Sequence, residues 1–203
     1  MSSDPDRVKA LLTAVCSAML LTPLLESPAA ARIPNAVSAR KARACPNANR
    51  RASGAPIPAM RTAVVCLIDR QRTEHGLPPL RANDRLNSSA QAWSNRMVAL
   101  HEFTHGANFA GRISATGFRW SAAGENIAAG FETPRQVVNG WMASTGHCRN
   151  ILSPTYRDVG TGVNRHALGA FGTGPATWTQ DFALPAGKRA PSGNWGPADR
   201  CPY

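Results

Sequence analysis

Apolar residues recur at helical spacing in two stretches between residues 61 and 100. The first stretch places four apolar residues on one helical face: Val64, Val65, Leu67 and Ile68. In the second, apolar residues follow one another four and three positions apart: Leu86, Ala90, Trp93, Met97 and Leu100. Gly76 ends the first pattern just before two prolines, and Asn83 can cap the second. Both stretches therefore predict amphipathic helices.

A third helix is indicated near residue 134, and strands are indicated after it. Thr133 can cap this helix, Pro134 suits its first turn, and Gln136 can complete a capping box. Residues 159–163 and 177–182 alternate in polarity and lie among glycines, which is typical of strands. Because helices precede strands within residues 61–185, we predict an α+β domain there, with helices packed on a mainly antiparallel sheet.

The first 31 residues are typical of an export signal. Arg7 and Lys9 precede an apolar run from Leu11 to Leu25, and Ala29 to Ala31 offer a cleavage site. That run is broken by Pro23 and is too short to cross a bilayer comfortably. We therefore expect a secreted protein, in the medium or the cell envelope, with no transmembrane anchor after cleavage.

The charge balance singles out a basic segment before the predicted domain. The chain holds 23 basic and 12 acidic residues, and residues 32–60 hold six of the basic ones and no acid, among prolines and alanines. This composition predicts a solvated linker, and residues 186–203 read as a tail without periodicity. No nucleic-acid-binding motif accompanies the charge, so we expect no nucleic-acid partner. Two interpretations of the positive charge remain: attraction to anionic envelope polymers, or an arginine-rich surface without a binding role.

Four cysteines lie outside the predicted signal: Cys45, Cys66, Cys148 and Cys201. An even number of cysteines in an exported chain suggests two disulfides, for which three pairings exist. We favour Cys45–Cys66 and Cys148–Cys201, because each of these bonds would hold one tail of the chain on the domain.

Two histidines and one carboxylate, His105, Glu125 and His147, stand about twenty residues apart. Such spacing cannot bring them onto one helix face, so they require a folded cleft. Two imidazoles and a carboxylate could hold zinc with a position open for water, or could form a polar floor without an ion. Asn126 is expected to tie down backbone at the cleft edge. Ser144 could act as a nucleophile beside His147, but no orienting acid is recognisable near it.

A competing interpretation rests on His101 to His105, which satisfies the pattern H-E-x-x-H. On a helix this pattern would place two imidazoles around zinc, with Glu102 as the base of a peptidase. Gly106 follows directly where such a helix should continue, and the preceding chain reads as helix rather than as edge strand. We therefore keep a zinc-dependent hydrolase or peptidase as the alternative function.

The motifs of residues 61–185 resemble the bacterial branch of the CAP superfamily, which includes cysteine-rich secretory proteins, antigen 5 and plant pathogenesis-related proteins. The motifs that carry the resemblance are Cys66–Arg72, Gly76–Leu80, Phe103–His105, Gly124–Ala128, Trp141–Ser144, Gly146–Leu152 and Trp178–Phe182. The resemblance implies a three-layer α-β-α sandwich with a cleft floored by two histidines and acidic residues. It places the first histidine at His105, the first acid at Glu125 and the second histidine at His147.

One position departs from the family pattern. Animal and plant members carry a second glutamate three residues after the tryptophan at position 141, where this chain has Ser144. This difference weakens the case for a complete metal site, although Glu102 or Glu132 could replace the acid in space. The resemblance favours a binding module of the envelope or medium without established catalysis. The expected ligands are small amphipathic molecules, lipids or cell-wall components.

Overall fold

A computed structural model describes residues 44–169, 174–192 and 201. The predicted export signal, the start of the basic segment and residues 193–200 of the tail lie outside these ranges. The helices are α1 (Ile57–Glu74), α2 (Asp84–Leu100), α3 (Phe109–Ala115), α4 (Pro134–Met142) and α5 (Thr145–Ile151). The strands are β1 (Arg81–Ala82), β2 (Trp120–Ala129), β3 (Asp158–Asn164) and β4 (Thr177–Pro185).

The four strands form one sheet in the order β1-β3-β4-β2. The short β1 pairs in parallel with β3, whereas β4 lies antiparallel to both β3 and β2. In the long pairing of β2 with β4, Glu125 stands directly opposite Asp181. The predicted α+β class and its mainly antiparallel sheet are thus confirmed.

Helices cover both faces of the sheet. On one face α1, α4 and α5 bury the largest core against β3 and β4, with Trp141, Trp178 and Phe182 at its centre. On the other face α2 and α3 pack Leu86 and Ile113 against the sheet. The arrangement is the three-layer α-β-α sandwich that the family resemblance implies.

Two glycines of β3 let α2 lie directly on the sheet. A Cβ at Gly160 would stand 2.1 Å from the Leu86 backbone, and one at Gly162 would stand 2.2 Å from the Ala90 carbonyl oxygen. Any side chain there would push the helix away. Because α2 leads into the loop that carries His105, this close approach also positions part of the site.

The packed chain begins earlier than the boundary at residue 61. Cys45, Ala48, Ala52 and Ala55 are buried, and α1 starts at Ile57. Small side chains explain why this basic stretch packs, since alanines fill narrow gaps against α1 and α4 while the arginines between them stay in solvent. Residues 44–60 therefore differ from the solvated linker that their composition suggested.

Both favoured disulfides are present. Cys45 bonds to Cys66 of α1 and Cys148 of α5 bonds to Cys201, which confirms the pairing. The predicted helices around residues 64, 90 and 134 and both predicted strands are confirmed as well. Within the described ranges, none of the helices combines the length and apolar character needed to span a bilayer.

Candidate functional site

Glu125 lies in the middle of β2, and its side chain is only 1% exposed. Arg112 of α3 forms an ion pair with Oε2, and His105 Nδ1 lies 2.8 Å from Oε1. Because an ionised carboxylate only accepts hydrogen bonds, His105 Nδ1 carries a proton. The imidazole is half exposed. The site thus consists of a solvent-facing histidine that is hydrogen-bonded to a buried carboxylate, and an arginine balances the charge of that carboxylate.

The loop that carries His105 is held by Arg112 and Trp93. The Arg112 guanidinium donates to the His105 carbonyl oxygen at 2.9 Å and stacks 3.7 Å from the centre of the Trp93 ring. The Trp93 indole donates to the Thr104 carbonyl oxygen at 2.9 Å. Gly106 follows with φ of 67°, and a Cβ there would meet the same indole at 2.8 Å. Residue 106 therefore needs glycine for both its conformation and its space.

His147 enters the site from α5, where it is half buried. Burial lowers its pKa, and the nearby His105 lowers it further. This influence of His105 on the pKa of His147 indicates that the two imidazoles lie near each other. The neutral ring of His147 is the favoured form at neutral pH.

A buried amide network fixes α5 against β2. Asn126 donates to the His147 carbonyl oxygen at 3.2 Å and to Gln180 Oε1 at 3.3 Å. Asn150 donates to the Glu125 carbonyl oxygen at 3.0 Å and to Asn126 Oδ1 at 2.9 Å. Both amides join the strand that holds Glu125 to the helix that holds His147, so they set the spacing between the two residues.

Asp181 places a second acid beneath the site. It is 1% exposed, stands opposite Glu125 on β4, and neither of its carboxylate oxygens has a hydrogen-bond partner in the described part of the chain. Burial first, and then the charge of Glu125, raise the pKa of Asp181 well above its ordinary value. Glu125 has the ion pair with Arg112 and Asp181 has none in the described part of the chain, so Asp181 is the member of the pair on which a proton is favoured.

The other acids and Ser144 stand apart from this arrangement. Glu132 pairs with Arg51 at 3.2 Å, and Glu102 is exposed in the loop after α2. Ser144 is the N-cap residue of α5, and among the described residues no hydrogen bond joins its hydroxyl to His147. Neither glutamate thus replaces the acid that the family pattern carries at position 144, and Ser144 lacks the partner that a nucleophile requires.

The H-E-x-x-H pentad is not helical. Helix α2 ends at Leu100, and His101 adopts a left-handed conformation with φ of 54°. The imidazoles at 101 and 105 therefore do not share a helix face, and the peptidase interpretation of this pentad is wrong. A left-handed residue immediately after the last helical turn is a common way to end a helix, and the pattern alone does not reveal it.

The residues also do not fit a three-ligand zinc site. Among the described residues, no group of three His, Cys, Asp or Glu side chains is arranged to hold a metal ion. Both oxygens of Glu125 are engaged, one by His105 and the other by the cationic Arg112. An arginine that already balances the carboxylate leaves no need for a second cation there. In this arrangement Glu125 presents no free carboxylate oxygen to a metal ion beside His105 and His147.

Three residues of the site were not predicted as site residues from the sequence. Arg112 belongs to the short helix α3, whose seven residues gave no clear period. Asn150 and Asp181 stand inside motifs that carry the family resemblance, but only the sheet register and the packing of α5 show that they approach Glu125. The one available indication was that Asp181 is an acid within a predicted strand of the core, where a charged side chain is unusual.

The sequence is similar to those of known proteins. The profile of the cysteine-rich secretory protein family, CAP, matches residues 65–182. The uncharacterized protein YkwD of Bacillus subtilis is 36% identical over 123 residues, covering 59% of this chain and 45% of that protein. The uncharacterized membrane protein YlbC of the same organism is 31% identical over 98 residues, covering 46% of this chain and 28% of that protein. The chain spans less than half the length of either curated relative.

Solved structures share the fold at low sequence identity. An extracellular protein of Bacillus anthracis containing an SCP domain superposes with a TM-score of 0.56 and 24% identity, over 63% of this chain and 41% of that one. A cysteine-rich secretory protein of Staphylococcus aureus gives a TM-score of 0.54 and 19% identity, over 64% and 40% of the two chains. The family profile, the sandwich and the ordered motifs agree, and the chain belongs to the cysteine-rich secretory protein (CAP) family.

Proposed function

We propose that this chain is an exported binding module that takes a small amphipathic ligand in the cleft of His105, Glu125 and His147. The observation that carries the proposal is the ion pair of Arg112 with the buried Glu125, which holds the half-exposed His105 in one orientation. Its Nδ1 is committed to Glu125, so the ring presents Nε2 to a ligand. A neutral imidazole accepts a hydrogen bond at that nitrogen, as from a sugar or glycerol hydroxyl.

Exposed apolar side chains close to His105 in the chain favour a ligand that has both a polar and an apolar part. Phe103 and Leu100 are the large hydrophobic residues of the described chain that are exposed, at 38% and 45%. Both lie within five residues of His105, at the end of α2 and in the loop that follows. A lipid or a cell-wall fragment with a hydroxyl-bearing head and an apolar part would use both surfaces.

The geometry gives no support to hydrolysis as the main activity. The Ser144 hydroxyl is not bonded to His147, and the carboxylate of Glu125 is buried and neutralised rather than free to activate water. Binding rather than turnover is therefore the function that the cleft supports best.

Calorimetric titration with monolauroylglycerol below its micellar concentration tests the proposal. We expect saturable binding that His105→Ala and Phe103→Ser each weaken by roughly tenfold, the effect of losing one well-placed contact. His166→Ala is the matched control, because His166 is an exposed histidine beyond β3, outside the cleft. Equal affinity of His105→Ala and His166→Ala would contradict the proposal, as would cleavage of the ester by the wild type.

A further inference from the structure

A second surface, unconnected to the cleft, lies at the end of the sheet where β3 begins and β4 ends. Three cavities of about 380, 340 and 370 Å³ adjoin one another there. The first and second share Arg81, and the second and third share Phe118 and Arg119. Together they form one open trough, which we call the arginine groove. It contains none of His105, Arg112, Glu125 or His147.

The arginine groove is positively charged. Five basic side chains line it: Arg81, Arg85, Arg119, Arg157 and Lys188. Only two acids do so, and one of them, Asp158, is buried and bound by Arg81 at 2.8 and 3.2 Å. No acidic side chain in the described ranges pairs with Arg119, Arg157 or Lys188, and Arg157 Nε is buried without a hydrogen-bond partner. An anion in the groove would balance the charge of these side chains.

Flat apolar surfaces alternate with the cations. Tyr156 lines the first cavity, where it stacks on Phe182 at 5.5 Å between ring centres and donates its hydroxyl hydrogen to the Ala123 carbonyl oxygen at 3.2 Å. Trp120 lines the third, where its indole donates to Ser114 Oγ at 2.9 Å. Pro78 and Pro79 add a rigid wall. These rings are fixed in place, so a ligand would not have to order them.

We propose that the arginine groove binds an acidic polysaccharide, a chain of pyranose rings that carry carboxylates. Guanidinium groups match carboxylates with two parallel hydrogen bonds, and tyrosine, tryptophan and proline offer flat apolar faces to the rings. The repeated cation–ring pattern along an open trough suits an extended polymer better than a compact molecule. This inference does not depend on the function of the cleft.

Binding of polygalacturonate to the full-length mature chain tests the proposal. The triple variant Arg119→Gln/Arg157→Gln/Lys188→Gln should bind roughly tenfold more weakly at low ionic strength, because each charged contact in an open, solvated groove contributes modestly. The matched control is Arg50→Gln/Arg96→Gln/Arg149→Gln, which removes the same charge from exposed positions outside the groove. Equal loss in the two triple variants would overturn the proposal.

Two other anionic polymers distinguish specific binding in the arginine groove from general attraction to the positive charge of the protein. Poly-L-glutamate carries carboxylates without sugar rings, and a single-stranded oligonucleotide carries phosphates. Binding of either as tight as that of polygalacturonate would contradict a polysaccharide site. If the triple variant does not fold, the single variants should each weaken binding by about two- to threefold. Unchanged affinity in all three would equally overturn the proposal, and His105→Ala should leave polygalacturonate binding unaffected.

Discussion

Arg112 is the side chain that pairs with the buried carboxylate of Glu125. It supplies the cation for a carboxylate that is almost fully buried, and it also holds the His105 backbone and the Trp93 ring. We expect Arg112→Met to destabilise the protein by about 3 kcal/mol, because it leaves a buried charge without a partner. Denaturant unfolding provides the measurement.

Arg96 offers the control for this substitution, since it lies over the same indole at 6.0 Å but is exposed. Arg96→Met should change the free energy of unfolding by less than about 0.5 kcal/mol. The double variant Arg112→Met/Glu125→Gln should recover part of the loss, since it removes the orphaned charge. An equal effect of Arg112→Met and Arg96→Met would show that the ion pair does not support the site.

Asp181 gives the site a predicted pH dependence. Its folded-state pKa is raised above the ordinary value of 3.8, so the folded protein keeps a proton that the unfolded chain loses. Stability therefore falls as pH rises from about 3.8 through the folded pKa. Asp69, whose pKa burial raises to about 6, contributes with the same sign. Asp181→Asn does not titrate, so its free energy of unfolding should gain on that of the wild type as the pH rises above the ordinary aspartate pKa of 3.8. A difference that does not change with pH would contradict a protonated Asp181.

At the scale of elements, the contact of α2 with β3 depends on glycine. Gly162→Ala would place a Cβ 2.2 Å from the Ala90 carbonyl oxygen, so the helix must move. We expect a loss of about 3 kcal/mol or more, the range of severe overpacking. Gly146→Ala is the control, because nothing lies within 4 Å of that Cβ and α5 gains a better helix former. Thermal unfolding of the two variants should move in opposite directions.

The elements that the sequence predicted are those with a long or well-marked pattern. The apolar series of α2 and the capping box of α4 locate both helices closely. The helices α3 and α5 have seven residues each, which is too short for a period to emerge. Strand β2 alternates weakly because glycine and alanine occupy much of it. The consequence for the site is direct, since Arg112, His147 and Glu125 all lie on these three elements.

The whole molecule is held together by two disulfides that close loops of different size. The bonds span sequence separations of 21 and 53 residues. In the chain-entropy view, the wider loop contributes about 4 kcal/mol and the narrower about 3 kcal/mol. Cys148→Ser/Cys201→Ser should therefore lower the unfolding free energy more than Cys45→Ser/Cys66→Ser. The reverse order would indicate that strain or contacts of residues 45–60 outweigh loop entropy.

Export is a prediction about the whole chain that rests on its first 31 residues. Expression in a bacterial host with an intact secretion pathway should release a protein whose first residue is Arg32. Replacing Leu20 and Leu21 by arginine should retain the longer precursor in the cytoplasm. N-terminal sequencing of the released and cell-associated protein measures both outcomes, and release of the uncleaved chain would contradict a cleaved signal.

The most direct test of the cleft is a map of ¹H–¹⁵N chemical-shift changes during titration of the wild-type protein with monolauroylglycerol. The largest changes should fall on Phe103, His105 and His147, with His166 and Tyr156 unmoved. A map centred on Tyr156 and Trp120, or one without changes at His105, would contradict a ligand site built on Glu125.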